Sequence, residues 1–297
     1  MFKGSTIRFA KLAVLLAASL VVACTPRQLL VNRAADLWTA QGQAEEEDIG
    51  LARESSAFYL KASESLLRQT PGHLPLAESV AGGLTQYAYA FVAFEADRLL
   101  ASDPKAANAL NERARRLYRR AHRHAMAALA LSNPDLIKAL KQTQAGPWPQ
   151  LQTEQVGVAY WTAASWGAFI ALSKDDPDTV ADLPLAIRLA DLAWNTSPRF
   201  GDGALASLMG NFEAARPGGS VAKALAYFDK AIAISAGLNA GPYVAKAEAI
   251  ALAAGDRSGF EALLRQALAA SEKRPDLGNQ VMRQRAQWLL NTADDLF

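Results

Sequence analysis

Residues Val156 to Leu172 read VGVAYWTAASWGAFIAL, and this stretch decides the fold. It carries no charge, and at about 3.6 residues per turn its apolar side chains point in every direction around a helix. Such a helix must be enclosed by protein or by lipid. A membrane span usually needs about 20 apolar residues, and this shorter run contains Thr162 and Ser165. We expect a central helix buried by other helices, with a membrane span as the alternative.

The rest of the chain favours the same fold class. Of its 297 residues, 51% are hydrophobic and 20% are charged, and alanine, a strong helix former, dominates. Proline and glycine residues separate the helical stretches, and no segment alternates apolar and polar residues as a strand does. The sequence therefore predicts an all-α protein whose body is a single domain over residues 45–297.

Several helices can be placed along the chain. An amphipathic helix is predicted over Ala52 to Leu67 and an aromatic-rich one over Leu76 to Leu100. Asp103 before a proline predicts the start of a long basic helix. Near the C-terminus, Ser258 and Glu261 have capping-box spacing, which predicts that Glu261 bonds back to the Ser258 amide.

Residues 1–23 have the pattern of a signal peptide. Lys3, Arg8 and Lys11 precede an apolar run that ends in Val-Val-Ala before Cys24. That ending resembles a bacterial lipobox, in which the cysteine is acylated and becomes the N-terminus after cleavage. We therefore predict lipidation at Cys24, followed by a tether over residues 24–44 that includes a first helix. An uncleaved signal anchor and an ordinary secretory signal are the alternatives.

Cys24 is the only cysteine, which excludes a disulfide within one chain and a metal site built on thiolates. Cleavage would remove three of the 31 Lys and Arg residues and leave 28 against 29 Asp and Glu, a net charge of −1. The basic balance thus belongs to the signal, and nothing argues for nucleic-acid binding. Thr25 follows Cys24, and by resemblance to sorting signals of double-membraned bacteria it favours the outer membrane.

A degenerate repeat runs through the chain. Ala224-x-x-x-Phe228-x-x-Ala231 matches the second helix of a tetratricopeptide repeat, where small and aromatic residues pack against the preceding helix. The last alanines of successive copies predict a unit of roughly 36 residues, close to the period of about 34. We expect tetratricopeptide-like hairpins around the central helix and a concave binding surface; chance matches between alanine-rich helices are the alternative. The other copies are Ala114/Tyr118/Ala121, Ala186/Ala190/Ala193 and Phe260/Leu264/Ala267.

No catalytic or metal-binding pattern is present in the sequence. His122 and His124 are two residues apart, so on a helix they point in different directions, and His73 lies in a turn. No nucleophile elbow, phosphate loop or dinucleotide fingerprint occurs. We expect neither an enzyme nor a metal or other cofactor. The arginines of the basic helix form either a solvated face or a partner-binding face: Arg113, Arg115, Arg116, Arg119, Arg120 and Arg123.

Five aromatic residues are candidates for a ligand channel. Tyr160, Trp161 and Trp166 belong to the central stretch, and Tyr87 and Tyr89 to the aromatic-rich helix before it. Tyrosine and tryptophan bind apolar surfaces with their rings and orient a ligand with OH or NH groups. The same residues also suit a packed core, and both interpretations stay open.

Four stretches are informative as a set. They are Tyr87 to Ala96 (YAYAFVAFEA), Tyr160-Trp161 with Ser165-Trp166-Gly167, Gly218-Gly219 with Ala224 to Ile232 (ALAYFDKAI) and Pro242-Tyr243-Val244, and Gly255-Asp256-Arg257 with Arg283 to Phe297 (RQRAQWLLNTADDLF). These stretches resemble the TatT family, the tetratricopeptide-like lipoprotein components associated with TRAP transporters. The resemblance covers nearly the whole mature chain, and the last two stretches are the most specific.

This resemblance implies an all-α body of cryptic repeats, a homotrimer, and association with the periplasmic solute-binding protein of a TRAP system. It also implies that the protein passes or holds a ligand for that partner. We expect an acylated lipoprotein of the bacterial cell envelope that faces the periplasm. The rival hypothesis is a scaffold lipoprotein that organises envelope assembly and handles no solute.

Overall fold

The structure is a computed structural model that describes residues 31–39, 46, 48–141 and 148–297. The predicted signal peptide, Cys24 and most of the tether lie outside these residues. The described part is helical and contains no strand. Its first helix, α1, spans residues 31–39, within the predicted tether. The main helices that follow are α2 (Ile49–Leu67), α3 (Leu74–Ala88), α4 (Phe94–Leu99), α5 (Pro104–Ser132), α6 (Pro134–Lys141), α7 (Val156–Ala171), α8 (Pro177–Ala181), α9 (Leu183–Thr196), α10 (Ala204–Ala215), α11 (Val221–Ile234), α12 (Gly241–Lys246), α13 (Arg257–Lys273), α14 (Leu277–Asn291) and α15 (Ala293–Leu296).

Two π-helical segments interrupt this order. Tyr89–Ala93 joins α3 to α4, so the predicted aromatic-rich helix continues through a local widening of the helix. Ala247–Leu252 continues α12 in the same way. A π-helical turn rotates the side chains that follow it and is frequent at functional sites.

Helix α7 is the centre of the larger core, as its composition predicts. It packs against α3, α5 and α9, and Val158, Ala159 and Ala163 are fully buried. Small side chains here let neighbouring helices approach closely. Within the described residues, no helix is long and apolar enough to cross a membrane.

Capping residues explain where the helices begin. Asp48, Asp103 and Ser220 each accept a backbone N–H of the first turn. The predicted capping box at Ser258 is wrong, because Asp256 caps α13 by accepting the Gly259 N–H at 2.9 Å. A carboxylate two residues earlier offers a stronger acceptor and moves the helix start toward the N-terminus.

The repeat positions are buried in helical hairpins. Helix α11 folds back on α10, and α14 folds back on α13. Ala224, Phe228 and Ala231 are fully buried, and the Phe228 ring fits over Gly210 of α10, where a Cβ would lie 2.9 Å from the ring. The corresponding positions of the other three copies are all buried as well. The tetratricopeptide-like hairpin predicted from the repeat is therefore confirmed.

The array of hairpins closes on itself. After α13, α14 packs against α2, more than 200 positions earlier in the chain. It also approaches α4, where Trp288 meets Phe94 edge-on with ring centroids 5.7 Å apart. The first and last parts of the domain are thus direct neighbours.

Candidate functional site

The five predicted channel aromatics do not converge on one point. Trp166 is buried, and its ring lies 4.5 Å from that of His122. Tyr160 packs against Phe200 at 5.2 Å on another side of α7, and its ring also meets that of Trp161 edge-on at 4.7 Å. Trp161 lies over α3, where a Cβ on Gly82 would come within 2.7 Å of its indole. Trp161 and Trp166, five residues apart, point about 140° away from each other.

The two tyrosines before α7 occupy different surroundings. Tyr87 meets Phe91 edge-on at 5.4 Å, and the Arg113 guanidinium lies 6.0 Å from its ring. Tyr89 opens the first π-helical segment and lies close to the charged groups of α14. Burial raises the pKa of the Tyr89 phenol, and the nearby carboxylate of Glu248 raises it further.

One face of α7 is left partly open. Trp161, Ala164 and Ala168 are each partly exposed, whereas Thr162 and Ser165 between them are buried. Residues three, four and seven apart share a helix face. The central helix is therefore enclosed on most of its circumference but presents one face of small side chains beside an indole. We call Trp161, Ala164 and Ala168 the open face of α7.

A charged cluster closes the ring of helices. Arg285 of α14 donates to Asp97 of α4 at 2.5 Å and to Glu248 of the second π-helical segment at 2.6 Å. Its guanidinium also lies 5.1 Å from the ring of Phe94 and 5.2 Å from that of Trp288. Arg285 is only 11% exposed, so its two carboxylate partners compensate a largely desolvated cation.

The basic helix is not only a solvated face. Arg120 donates both Nε and one terminal nitrogen to the carboxylate of Glu64, and His124 lies 2.9 Å from the same group. Glu64 is 1% exposed. Burial opposes its ionisation, but the hydrogen bonds from His124 and Arg120 outweigh that effect and lower its pKa to about 2. Arg119 and Arg123 do face solvent.

The other histidines serve local structure. His73 caps α3 through Nδ1 and approaches Asp36 of α1 through Nε2 at 2.9 Å, so it does more than occupy a turn. His122 lies between α5 and α7, where burial lowers its pKa to about 4. No group of three or more potential metal ligands occurs in the part of the chain that the structure describes.

A cleft of about 1020 Å³ lies between α9, α10 and α11, with α8 at one end. Met209 and Phe212 of α10 form its apolar floor and are both buried. Trp194 of α9 and Tyr227 of α11 meet edge-on at 5.3 Å on its walls. None of the five predicted aromatics lines this space, which we call the α9–α11 cleft.

Cations outnumber carboxylates in the α9–α11 cleft. Its lining includes four basic residues and two acidic ones. Arg216 is held by Glu213 through two hydrogen bonds of 2.8 Å each, and Glu213 also accepts the Ser220 N–H. Burial raises the pKa of Asp191. The remaining basic residues, which form no salt bridge within the described residues, are Arg188, Lys223 and Lys230.

The sequence patterns predict neither the Arg285 cluster nor the α9–α11 cleft. Arg285 and Asp97 are 188 residues apart, and no local pattern connects them. The α9–α11 cleft takes residues from three helices whose repeat pattern marks only the buried faces. The lysines at 223 and 230, seven residues apart beside the repeat motif, were the available signal, since that spacing puts both on one helix face.

Comparison with known proteins gives three results. The family model described as TRAP transporter T-component matches residues 45–297. An uncharacterized protein of Treponema pallidum (strain Nichols) is 28% identical over 266 residues, which cover 85% of this chain and 81% of that protein. A crystal structure of a thermophilic TPR protein from Thermus thermophilus is 17% identical, with a TM-score of 0.47, and the match covers 80% of this chain and 92% of that one. Because the family model spans the whole predicted domain, the chain belongs to the TRAP transporter T-component family.

Proposed function

We propose that this protein is a lipid-anchored accessory component of a TRAP-type solute uptake system. In this proposal it faces the periplasm, binds the solute-binding protein of the system, and holds or passes a ligand for it. The observation that carries the proposal is the match of the T-component family model over residues 45–297. A TRAP transporter component belongs in the bacterial envelope. We assign it a binding role without catalysis.

Two features of the fold support a binding role. Helical hairpins stack so that each buries its apolar face against its neighbours, and such stacks expose an extended surface to partners. The open face of α7 adds a place where a small apolar group could contact the central helix, since Trp161, Ala164 and Ala168 are each partly exposed. Both features suit a protein that receives a ligand without transforming it.

Affinity capture tests the partner directly. The tagged full-length protein is recovered from gently crosslinked native envelopes, and the captured proteins are identified by mass spectrometry. We expect a TRAP solute-binding protein, with none recovered by an unrelated tagged lipoprotein of similar abundance. Recovery only of outer-membrane assembly or cell-wall proteins would contradict the uptake role and favour the envelope scaffold.

The anchor and the oligomer need separate measurements. Cells fed a labelled palmitate analogue should incorporate the label into the wild-type protein but not into Cys24→Ala, which should also leave the membrane fraction. An unchanged distribution of Cys24→Ala would argue against the lipid anchor.

For the proposed trimer, sedimentation of the wild-type protein at several concentrations should give three times the mass of one chain, and a persistent monomer would contradict it.

A further inference from the structure

We propose that the α9–α11 cleft binds a small organic anion with an apolar or aromatic body. This inference deepens the proposed function and rests on it for the fate of the ligand, because it names the chemical class that the protein would hold for its partner. Binding itself is a property of this chain and can be measured without the partner.

The apolar half of the α9–α11 cleft is built from three helices. Its floor, Met209 and Phe212, belongs to α10, and Ile187 and Trp194 extend along the side of α9. Tyr227 completes the opposite wall on α11 and remains partly exposed. Ligand pockets are typically lined by apolar and aromatic side chains with a few placed polar groups. This floor and these walls would accept a ring or a short aliphatic body.

The cationic half follows from helix geometry. Lys223, Tyr227 and Lys230 are spaced four and three residues apart, so they share one face of α11. That face points into the cleft, because all three residues line it. Arg188 of α9 also lines the cleft, and its guanidinium lies 5.6 Å from the ring of Trp148, which lies outside the cleft lining. The two lysines therefore flank an aromatic ring, and a third cation belongs to the same lining.

The carboxylates of the cleft do not neutralise Arg188, Lys223 and Lys230. Glu213 already accepts from Arg216 and from the Ser220 N–H, and Lys223 only lies in its field. Asp191 lowers the local positive potential near Arg188 but makes no salt bridge within the described residues. Lys230 lies 4.7 Å from the ring of Trp194, in a cation–π contact. A cleft lined by an excess of one charge concentrates ligands of the opposite charge.

The volume of the α9–α11 cleft suits a small molecule. Pockets for small ligands span about 300–1000 Å³, and the cleft, at about 1020 Å³, matches the upper limit of that range. The ammonium of Lys230 lies against Trp194, and Met209 and Phe212 line the same cleft. A compact anion can place its charge near Lys230 and Lys223 while its body reaches this floor.

A matched pair of probes tests the proposal by calorimetry on the full-length protein. 2-Naphthoate carries an aromatic body and a carboxylate, and 2-naphthamide has nearly the same shape without the charge. We expect one molecule of 2-naphthoate to bind per chain, at least tenfold more tightly than 2-naphthamide. Added salt should weaken binding of the anion more than binding of the amide.

Variants place the binding site. Lys223→Gln with Lys230→Gln should weaken 2-naphthoate binding by about tenfold, since each charge-assisted contact contributes modestly. The control, Arg119→Gln with Arg123→Gln, removes the same charge from the solvent face of α5 and should change the affinity by less than twofold. Both positions of each pair are exposed, so the circular dichroism of both variants should match the wild type.

Three results would overturn the proposal. These are no binding of 2-naphthoate at millimolar concentration, equal affinities for the two probes, and equal losses in the two double variants. Capture of the solute-binding protein by the Lys223/Lys230 variant separates this outcome from the proposed function. Retained capture without naphthoate binding leaves the partner role intact, whereas naphthoate binding without any capture would remove that role and keep the cleft.

Discussion

Arg285 and Asp97 form an ion pair between the last long helix and the fourth, with Nη1 of the arginine 2.5 Å from a carboxylate oxygen. The pair joins residues that are 188 positions apart, and Glu248 holds the other terminal nitrogen of the same guanidinium. These contacts make α14 a structural bridge between the two halves of the domain.

Replacing Arg285 with glutamine should lower the free energy of unfolding by about 1–3 kcal/mol, because two carboxylates lose their charged donor. The cost stays below that of a fully buried pair, since Asp97 and Glu248 remain partly exposed. Urea unfolding measures the change. Arg283→Gln is the control on the same helix: Arg283 is 48% exposed and lies 4.0 Å from Glu272. Equal effects of the two variants would show that Arg285 does not stabilise the contact of α14 with α4.

Glu64 should make the protein sensitive to strong acid. Its folded pKa is about 2, against an ordinary value of 4.5, so the unfolded chain takes up a proton first as the pH falls. The stability that Glu64 contributes is therefore present above pH 4.5 and lost between about pH 4.5 and 2.

Substitution tests this assignment. Glu64→Gln should flatten the pH dependence of unfolding in that window and lower stability at pH 7 by about 1–3 kcal/mol, because Arg120 and His124 lose a charged acceptor. Glu54→Gln, an exposed residue of the same helix, should leave the profile unchanged. A profile of Glu64→Gln that parallels the wild type would contradict the assignment.

His122 should make the stability of the protein depend on pH in a higher range than Glu64 does. Burial holds its folded pKa near 4, against an ordinary value of 6.5, so the unfolded chain binds its proton first. Stability is then lost as the pH falls from about 6.5 toward 4, by at most about 1.4 kcal/mol per pH unit. His122→Phe should remove this slope while leaving the lower window of Glu64 in place. An unchanged slope between pH 6.5 and 4 would mean that His122 is not buried in its neutral form.

The two tryptophans of α7 should respond differently to removal. Trp166 is 7% exposed, so Trp166→Ala should cost about 3–5 kcal/mol of stability. Trp161 borders the open face of α7, and Trp161→Ala should cost less while reducing recovery of the solute-binding protein in crosslinked envelopes. Chemical unfolding measures the stability of both variants, and affinity capture measures how much solute-binding protein each one recovers. Full recovery with Trp161→Ala would remove the open face from the proposed function.

A side chain at Gly210 should lower the stability of the protein. A Cβ at this position would lie 2.9 Å from the buried ring of Phe228, and overpacking of this kind costs about 1–3 kcal/mol. Gly210→Ala should therefore lower the melting temperature. Gly72→Ala is the control, because a Cβ at Gly72 has no neighbour within 4 Å. A melting temperature of Gly210→Ala equal to that of the control would contradict the hairpin packing.

Periodicity and capping residues were enough to predict most of the fold. The uncharged stretch at Val156 required enclosure, and the small and aromatic positions of the repeat are buried as that pattern predicts. The start of α5 followed from a single residue, Asp103 before a proline. These signals are local, because each depends on residues within one or two helical turns.

The candidate sites depend on contacts that local patterns do not encode. Arg285 has no sequence feature that selects Asp97 over other carboxylates, and the two π-helical segments have no reliable sequence signal. Spacing along α7 gives the angle between Tyr160 and Trp166, but it does not identify the helix that each side chain faces. The α9–α11 cleft lies between three helices, and the repeat pattern describes only the buried positions within each helix.

The contact between α14 and α2 also limits how this domain can vary in length. A linear solenoid can gain or lose one hairpin by duplication or deletion, because each repeat touches only its neighbours. Here an added hairpin would push α14 away from α2 and from Asp97, and a lost hairpin would leave it short of them. Homologues that keep this closure should therefore share one number of hairpins and differ in length mainly at their loops and termini.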